Sequence, residues 1–136
     1  MIGTVRFAQG VRITGLPSPA QCRILAALDT VARAMGRDFT VTCGEEAHPP
    51  VDPHTLRKAF DVRTLDFDHP KQIVEAFKRI QDDLGSAYWT VLYETPSRPD
   101  EAVLSDLATI NPNATAPHFH IQPHKGTDYP PTPQQP

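Results

Sequence analysis

The types and spacing of three histidines and one aspartate predict a metal site. His54 precedes Asp61 by seven positions, and a second motif, His118-Phe-His120, follows much later in the chain. Two neutral imidazoles and one carboxylate are the ligands that catalytic zinc sites favour, because three protein ligands leave a fourth position open for water. We therefore predict that this chain binds Zn²⁺.

The second motif contains two candidate ligands, and its spacing leaves the choice between them open. Side chains two positions apart on a strand face the same side, so both His118 and His120 can enter one cleft. Asp61 lies in an apolar stretch, Ala-Phe-Asp-Val. A buried carboxylate needs a partner such as a metal ion, which supports Asp61 as a ligand.

A hydrolytic metal site also needs a carboxylate near the metal that takes a proton from water. Glu94 follows the apolar run Val-Leu-Tyr, which predicts a strand, and it is our candidate for this base. Glu45 and Glu46, in a proline-rich loop, are the alternatives.

Hydrophobic spacing and capping residues predict the elements that position these groups. Helices are expected over residues 19–35 and 68–84, because Ser18 is a good N-cap and glycines follow both segments. Strands are expected at residues 11–14, 39–43, 58–63, 88–94 and 118–122. Residues 95–116 are expected to form an irregular, mobile rim beside the site, with one short helix over 102–110. These elements predict an α+β fold with a small, mostly antiparallel sheet.

Composition narrows the class of protein. The chain has 136 residues and a formal net charge of −3, which suits one domain, expected over residues 1–128. A proline-rich tail, residues 129–136, is expected to be flexible. Lys and Arg are not clustered, so we expect no nucleic-acid partner. There is no long apolar run and no signal-peptide pattern, so we expect a soluble monomer that is cytoplasmic as synthesised.

The order of these motifs resembles a known family. His-x6-Asp at residues 54–61, Tyr-Glu at 93–94 and His-x-His at 118–120 are similar to the motifs of M15-type D-alanyl-D-alanine carboxypeptidases and endopeptidases. They are equally similar to the metal-bearing signalling domain of Hedgehog proteins, which shares that fold. The resemblance covers residues 40–122 and implies a small antiparallel sheet with helices packed on one side.

The resemblance also implies roles for individual residues. His54, Asp61 and His120 would bind zinc, and Glu94 would be the general base. His118 and His48 would line the site and stabilise an oxyanion.

One departure from the family suggests a contact with substrate. The family usually has glycine where this chain has Arg57. We expect the guanidinium of Arg57 to bind a substrate carboxylate, because arginine binds carboxylates with two parallel hydrogen bonds.

The sequence therefore predicts a zinc metallopeptidase that hydrolyses peptidoglycan stem peptides, either as a D-Ala-D-Ala carboxypeptidase or as an endolysin-type endopeptidase. An enzyme that lacks a signal peptide would fit a phage-encoded protein released to the cell wall. The alternative is a zinc-binding interaction module of the same fold without catalysis.

Overall fold

A computed structural model describes residues 3–11, 17–43 and 58–124 of the chain. In these ranges three helices and one six-stranded sheet form an α+β fold, which confirms the predicted class. The helices are α1 (Pro19–Met35), α2 (Pro70–Leu84) and α3 (Ala102–Leu107). The strands are β1 (Val5–Phe7), β2 (Phe39–Cys43), β3 (Phe60–Arg63), β4 (Trp89–Thr95), β5 (Ala108–Ile110) and β6 (His118–Pro123). The predicted tail, residues 129–136, lies outside the described residues.

The N-cap predicted for α1 and the glycines predicted after both long helices lie at the helix ends, whereas α2 begins at Pro70 rather than at residue 68, and His69 before it makes no side-chain cap. At the start of α1, the Ser18 hydroxyl accepts a hydrogen bond from the Gln21 backbone N–H at 3.2 Å, and the Gln21 carbonyl oxygen Oε1 accepts one from the Ser18 N–H at 3.0 Å. Gly36 ends α1 with φ 63°, and Gly85 follows α2 with φ 79°, conformations that favour glycine. Within the described residues, no helix is long and apolar enough to cross a membrane.

The sheet is larger and more varied than predicted. Its strand order is β1-β2-β3-β6-β4-β5. The four central strands pair antiparallel, but β1 is parallel to β2 and β5 is parallel to β4. The expectation of a small, mostly antiparallel sheet is therefore wrong, since the sheet is mixed. Each parallel pair is joined by a helix, α1 or α3, and such a crossover returns the chain in its original direction.

Two segments differ from the prediction in local structure. Residues 95–116 contain the expected short helix, α3, but the last residues predicted for it form strand β5, which extends the sheet at one edge. The strand expected at residues 11–14 is not seen at Val11, and residues 12–16 lie outside the described part of the chain. Within the described residues, the strand that precedes α1 is β1. A three-residue strand is too short for an alternation pattern to identify it.

The core lies between the helices and one face of the sheet. Apolar residues at alternate positions of β3, β4 and β6 belong to the same hydrophobic cluster as the buried faces of α1 and α2. Phe119, at the centre of β6, is fully buried, and its ring lies 5.9 to 6.1 Å from those of Phe67, Phe77 and Tyr93. The residues between these apolar positions face the other side of the sheet.

We predict that Phe119→Ala lowers the free energy of unfolding by about 3–5 kcal/mol, because it removes a fully buried ring and leaves a cavity. Urea unfolding followed by circular dichroism measures the change. Val103→Ala is the control: Val103 is 49% exposed, and its truncation should change stability by no more than about 0.5 kcal/mol. Similar losses for the two variants would contradict the position assigned to Phe119.

Candidate functional site

Four of the predicted site residues lie together on the sheet face opposite the helices. Asp61 is on β3, Glu94 is on β4, and His118 and His120 are on β6. Strand pairing places Asp61 directly opposite His120, and Glu94 directly opposite His118. Because β6 lies between β3 and β4, residues that are far apart in the sequence form one cluster.

The first pair in this cluster joins His120 to Asp61. The ring nitrogen Nδ1 of His120 lies 2.8 Å from a carboxylate oxygen of Asp61, and Nε2 lies 2.6 Å from the side-chain oxygen of Gln122. Both side chains of the pair are 14% exposed. Burial by itself lowers the pKa of His120, but the hydrogen bond and charge of Asp61 outweigh it and raise the pKa from 6.5 to about 9. His120 is therefore protonated at neutral pH and donates from both nitrogens.

The second pair joins His118 to Glu94. The Nε2 atom of His118 lies 3.0 Å from a carboxylate oxygen of Glu94, and Nδ1 donates to the backbone carbonyl of Ala116 at 2.9 Å. The hydrogen bond from His118 lowers the pKa of Glu94, against the effect of burial. Burial lowers the pKa of His118, but the bond to Glu94, the charge of Asp61 and the bond to the Ala116 carbonyl together outweigh it, so that the pKa is raised. Glu94 is thus an ionised carboxylate next to a proton donor.

Asp61 connects the two pairs. Its second carboxylate oxygen lies 3.8 Å from Nε2 of His118. Both nitrogens of each ring lie against oxygen atoms, so each carboxylate is paired with a histidine ring within the cluster. Partly buried charges are costly unless they are paired in this way.

The donors in this cluster are chemically suited to zinc. Asp61 and His120 are the two described members of the predicted ligand set, and their donor atoms are already in contact. A zinc ion and a proton compete for the same imidazole nitrogen, so the proton between these side chains occupies a position that a cation can take. Within the described residues, no three His, Cys, Asp or Glu side chains are arranged to hold an ion.

The other predicted site residues are His54, His48 and Arg57, together with the alternative bases Glu45 and Glu46. All of them lie outside the described residues. Their roles as ligand, oxyanion donor, substrate contact and base stay predictions.

Sequence reasoning missed one member of the cluster, Gln122. Its side-chain oxygen accepts a hydrogen bond from His120 and so fixes the orientation of that ring. The sequence pattern could have identified Gln122, because it continues the two-residue alternation of His118 and His120 along β6.

Comparison of the chain with protein-family models, curated proteins and solved structures found no match. The relation to M15-type peptidases stays a prediction from the order of the motifs.

We predict that the metal-free protein becomes less stable as pH rises from 6.5 through about 9. Folding raises the pKa of His120, so this residue stabilises the folded protein fully at pH values below its pKa in the unfolded chain. The stabilisation is lost as pH rises and the folded protein releases the proton. A pKa shift of this size corresponds to about 3 kcal/mol in the free energy of unfolding. Urea unfolding in a chelating buffer should show wild type and His120→Asn converging in stability towards high pH. A constant difference between the two proteins across this range would contradict the assigned pairing.

Proposed function

We propose that this chain is a zinc-dependent peptidase that hydrolyses peptide bonds of peptidoglycan stem peptides, as a D-Ala-D-Ala carboxypeptidase or an endolysin-type endopeptidase. The observation that supports the proposal is the cluster of two carboxylate–imidazole pairs on the sheet face opposite the helices. Its four side chains are 14–17% exposed, so they are shielded from bulk water but within reach of a ligand.

The geometry favours a division of roles between the two pairs. Asp61 and His120, with His54 from outside the described residues, would hold the metal. When bound there, zinc supplies a Lewis acid that polarises a carbonyl group and makes a water molecule more acidic. Glu94 and His118 would stay off the metal and act on the reactants.

Glu94 has the position and charge of a general base. Its carboxylate is ionised at neutral pH, because the hydrogen bond from His118 lowers its pKa. In the hydrolysis, Glu94 accepts a proton from the attacking water as the water oxygen bonds to the peptide carbon. It then passes that proton to the departing amine nitrogen as the carbon–nitrogen bond breaks.

His118 complements this base. Its Nε2 proton already points between two carboxylates, Glu94 at 3.0 Å and Asp61 at 3.8 Å. The same N–H can donate to the substrate oxygen while negative charge develops on it. The backbone carbonyl of Ala116 holds the opposite nitrogen and so fixes the ring.

The stem peptide as substrate is inferred from the resemblance to M15-type enzymes. Among the described residues, α1 and α2 pack on the other face of the sheet, so they leave the face that carries the cluster to a ligand such as an extended peptide. The expected contact of Arg57 with a substrate carboxylate would suit the anionic end of such a peptide.

We predict that Glu94→Gln keeps zinc but slows hydrolysis by about 10²–10⁴-fold, because it removes the base and leaves the ligands. Release of D-Ala, or the appearance of new amines, from a synthetic stem peptide measures the rate, and elemental analysis measures the zinc. Glu75→Gln is the matched control, since Glu75 lies on the exposed face of α2 and pairs with Arg79. If the Glu94→Gln variant cleaves the peptide at the wild-type rate, Glu94 is not the general base.

We predict opposite zinc contents for the two histidine variants of β6. His120→Ala should lose zinc and hydrolysis together, because His120 is the proposed ligand. His118→Ala should retain zinc and lose hydrolysis. Zinc loss from His118→Ala with retention in His120→Ala would reverse the two roles. A wild type that binds zinc and cleaves no stem peptide would favour the alternative, a non-catalytic zinc-binding module.

A further inference from the structure

One arginine lies in the same row of side chains as Glu94 and His118. Arg63 is the last residue of β3, and strand pairing places it directly opposite His118, on the side of β6 away from Glu94. Because Arg63 comes two positions after Asp61, its side chain leaves the sheet on the face that carries the cluster. Residues directly opposite each other on antiparallel strands have Cα atoms roughly 4.5–5.5 Å apart. A carboxylate, an imidazole and a guanidinium group are therefore neighbours across three strands.

Arg63 differs from the other arginines that the structure describes in having no partner there. Its side chain is exposed, and it forms no hydrogen bond or ion pair with another described residue. A guanidinium group has five N–H donors in a planar fork that matches a carboxylate, and at Arg63 this fork is left to a ligand. Each of the others forms an ion pair or a hydrogen bond with an aspartate, glutamate or serine side chain: Arg6, Arg23, Arg33, Arg37, Arg79 and Arg98.

The charges of the cluster favour Arg63 as the place for a substrate carboxylate. Asp61 and Glu94 each already accept a hydrogen bond from a histidine ring. A further carboxylate beside either of them would meet a charge of the same sign. Arg63 is separated from Glu94 by His118, and its positive charge is permanent. A negatively charged group of the substrate is therefore stabilised on the β3 side of His118.

The distance between His118 and Arg63 suits a single terminal residue. In the proposed hydrolysis, the carbonyl oxygen of the bond that is cut lies at the Nε2 proton of His118. If that bond is the last one of the peptide, the free carboxylate lies one residue further on, at most about 3.6 Å along an extended chain. The neighbouring strand is roughly 4.8 Å away, so the long side chain of Arg63 can reach this carboxylate. An internal peptide bond has no carboxylate at this position.

We infer that Arg63 binds the free C-terminal carboxylate of the substrate and so makes this chain a carboxypeptidase rather than an endopeptidase. The inference rests on the proposed function, because it adds a specificity-determining residue to the same site. Arg63 contacts the terminal group and takes no part in proton transfer, which stays with Glu94. Arg57, for which a similar contact was expected, lies outside the described residues and is included in the test.

Two peptides that differ only in the terminal group test this contact: a synthetic stem peptide that ends in D-Ala-D-Ala, and its C-terminal amide. With zinc-loaded, full-length protein, kcat/KM for release of the last residue should be roughly tenfold or more higher for the free acid, the effect of charge-assisted hydrogen bonds. Arg63→Gln should remove most of this preference by slowing cleavage of the acid alone. Arg63→Lys should keep part of it, because an ammonium group retains the charge without the fork.

The matched control is Arg33→Gln, which removes the same charge from an exposed position on α1, on the other side of the sheet. It should leave both rates unchanged. Because Arg63 is exposed, its variants should also unfold at the urea concentration of wild type.

Binding measured without turnover separates this inference from the proposed function. Zinc-loaded Glu94→Gln should bind the acid more tightly than the amide in isothermal titration calorimetry, again by roughly tenfold. The same variant with Arg63→Gln added should bind the two peptides equally. If wild type cleaves neither peptide and this pattern holds, the contact of Arg63 stands and the proposed function fails. If neither peptide binds, both fail.

Other results would overturn the inference and leave the proposed function standing. Equal slowing of both peptides by Arg63→Gln would assign its guanidinium to the developing oxyanion instead of the carboxylate. Loss of the preference in Arg57→Gln, with the preference intact in Arg63→Gln, would transfer the contact to Arg57. A wild type that cuts the stem peptide internally, without preference for the free acid, would be an endopeptidase.

Discussion

The alternation of strand β6 is the constraint on which the core and the site both depend. Phe119 is fully buried on one side of this strand, and His118 and His120 lie on the other. Because β6 pairs with β3 on one edge and β4 on the other, it carries both imidazoles between the two carboxylates. A shift of one residue along β6 would place the rings of both histidines in the core and the phenyl ring outside it. The burial of one aromatic residue thus fixes the register that assembles the cluster.

The pairing within this cluster is compatible with the proposed metal site. Without a metal, each carboxylate is hydrogen-bonded to a histidine ring, and the contact between Asp61 and His118 links the pairs. With a metal, a divalent cation would replace protons while the total charge stays balanced. Removing one partner from a buried pair typically costs about 3–5 kcal/mol, because the other charge is left uncompensated.

The sequence could predict the parts of this protein that depend on local chemistry. The hydrophobic spacing, the Ser18 cap and the glycines after α1 and α2 identify both helices, and the two-residue alternation of β6 identifies the central strand and its histidines. The parallel strands β1 and β5 were not predicted, because each has three residues and its pairing is set by a helical crossover.

Diffraction at the zinc absorption edge from crystals grown with zinc is the most direct test of the central claim. Our account predicts an anomalous peak in contact with the Asp61 carboxylate and the His120 ring, with Glu94 and His118 beside it and not bound to it. Crystals that contain zinc at another position, while the hydrogen bond between His120 and Asp61 remains intact, would contradict the account.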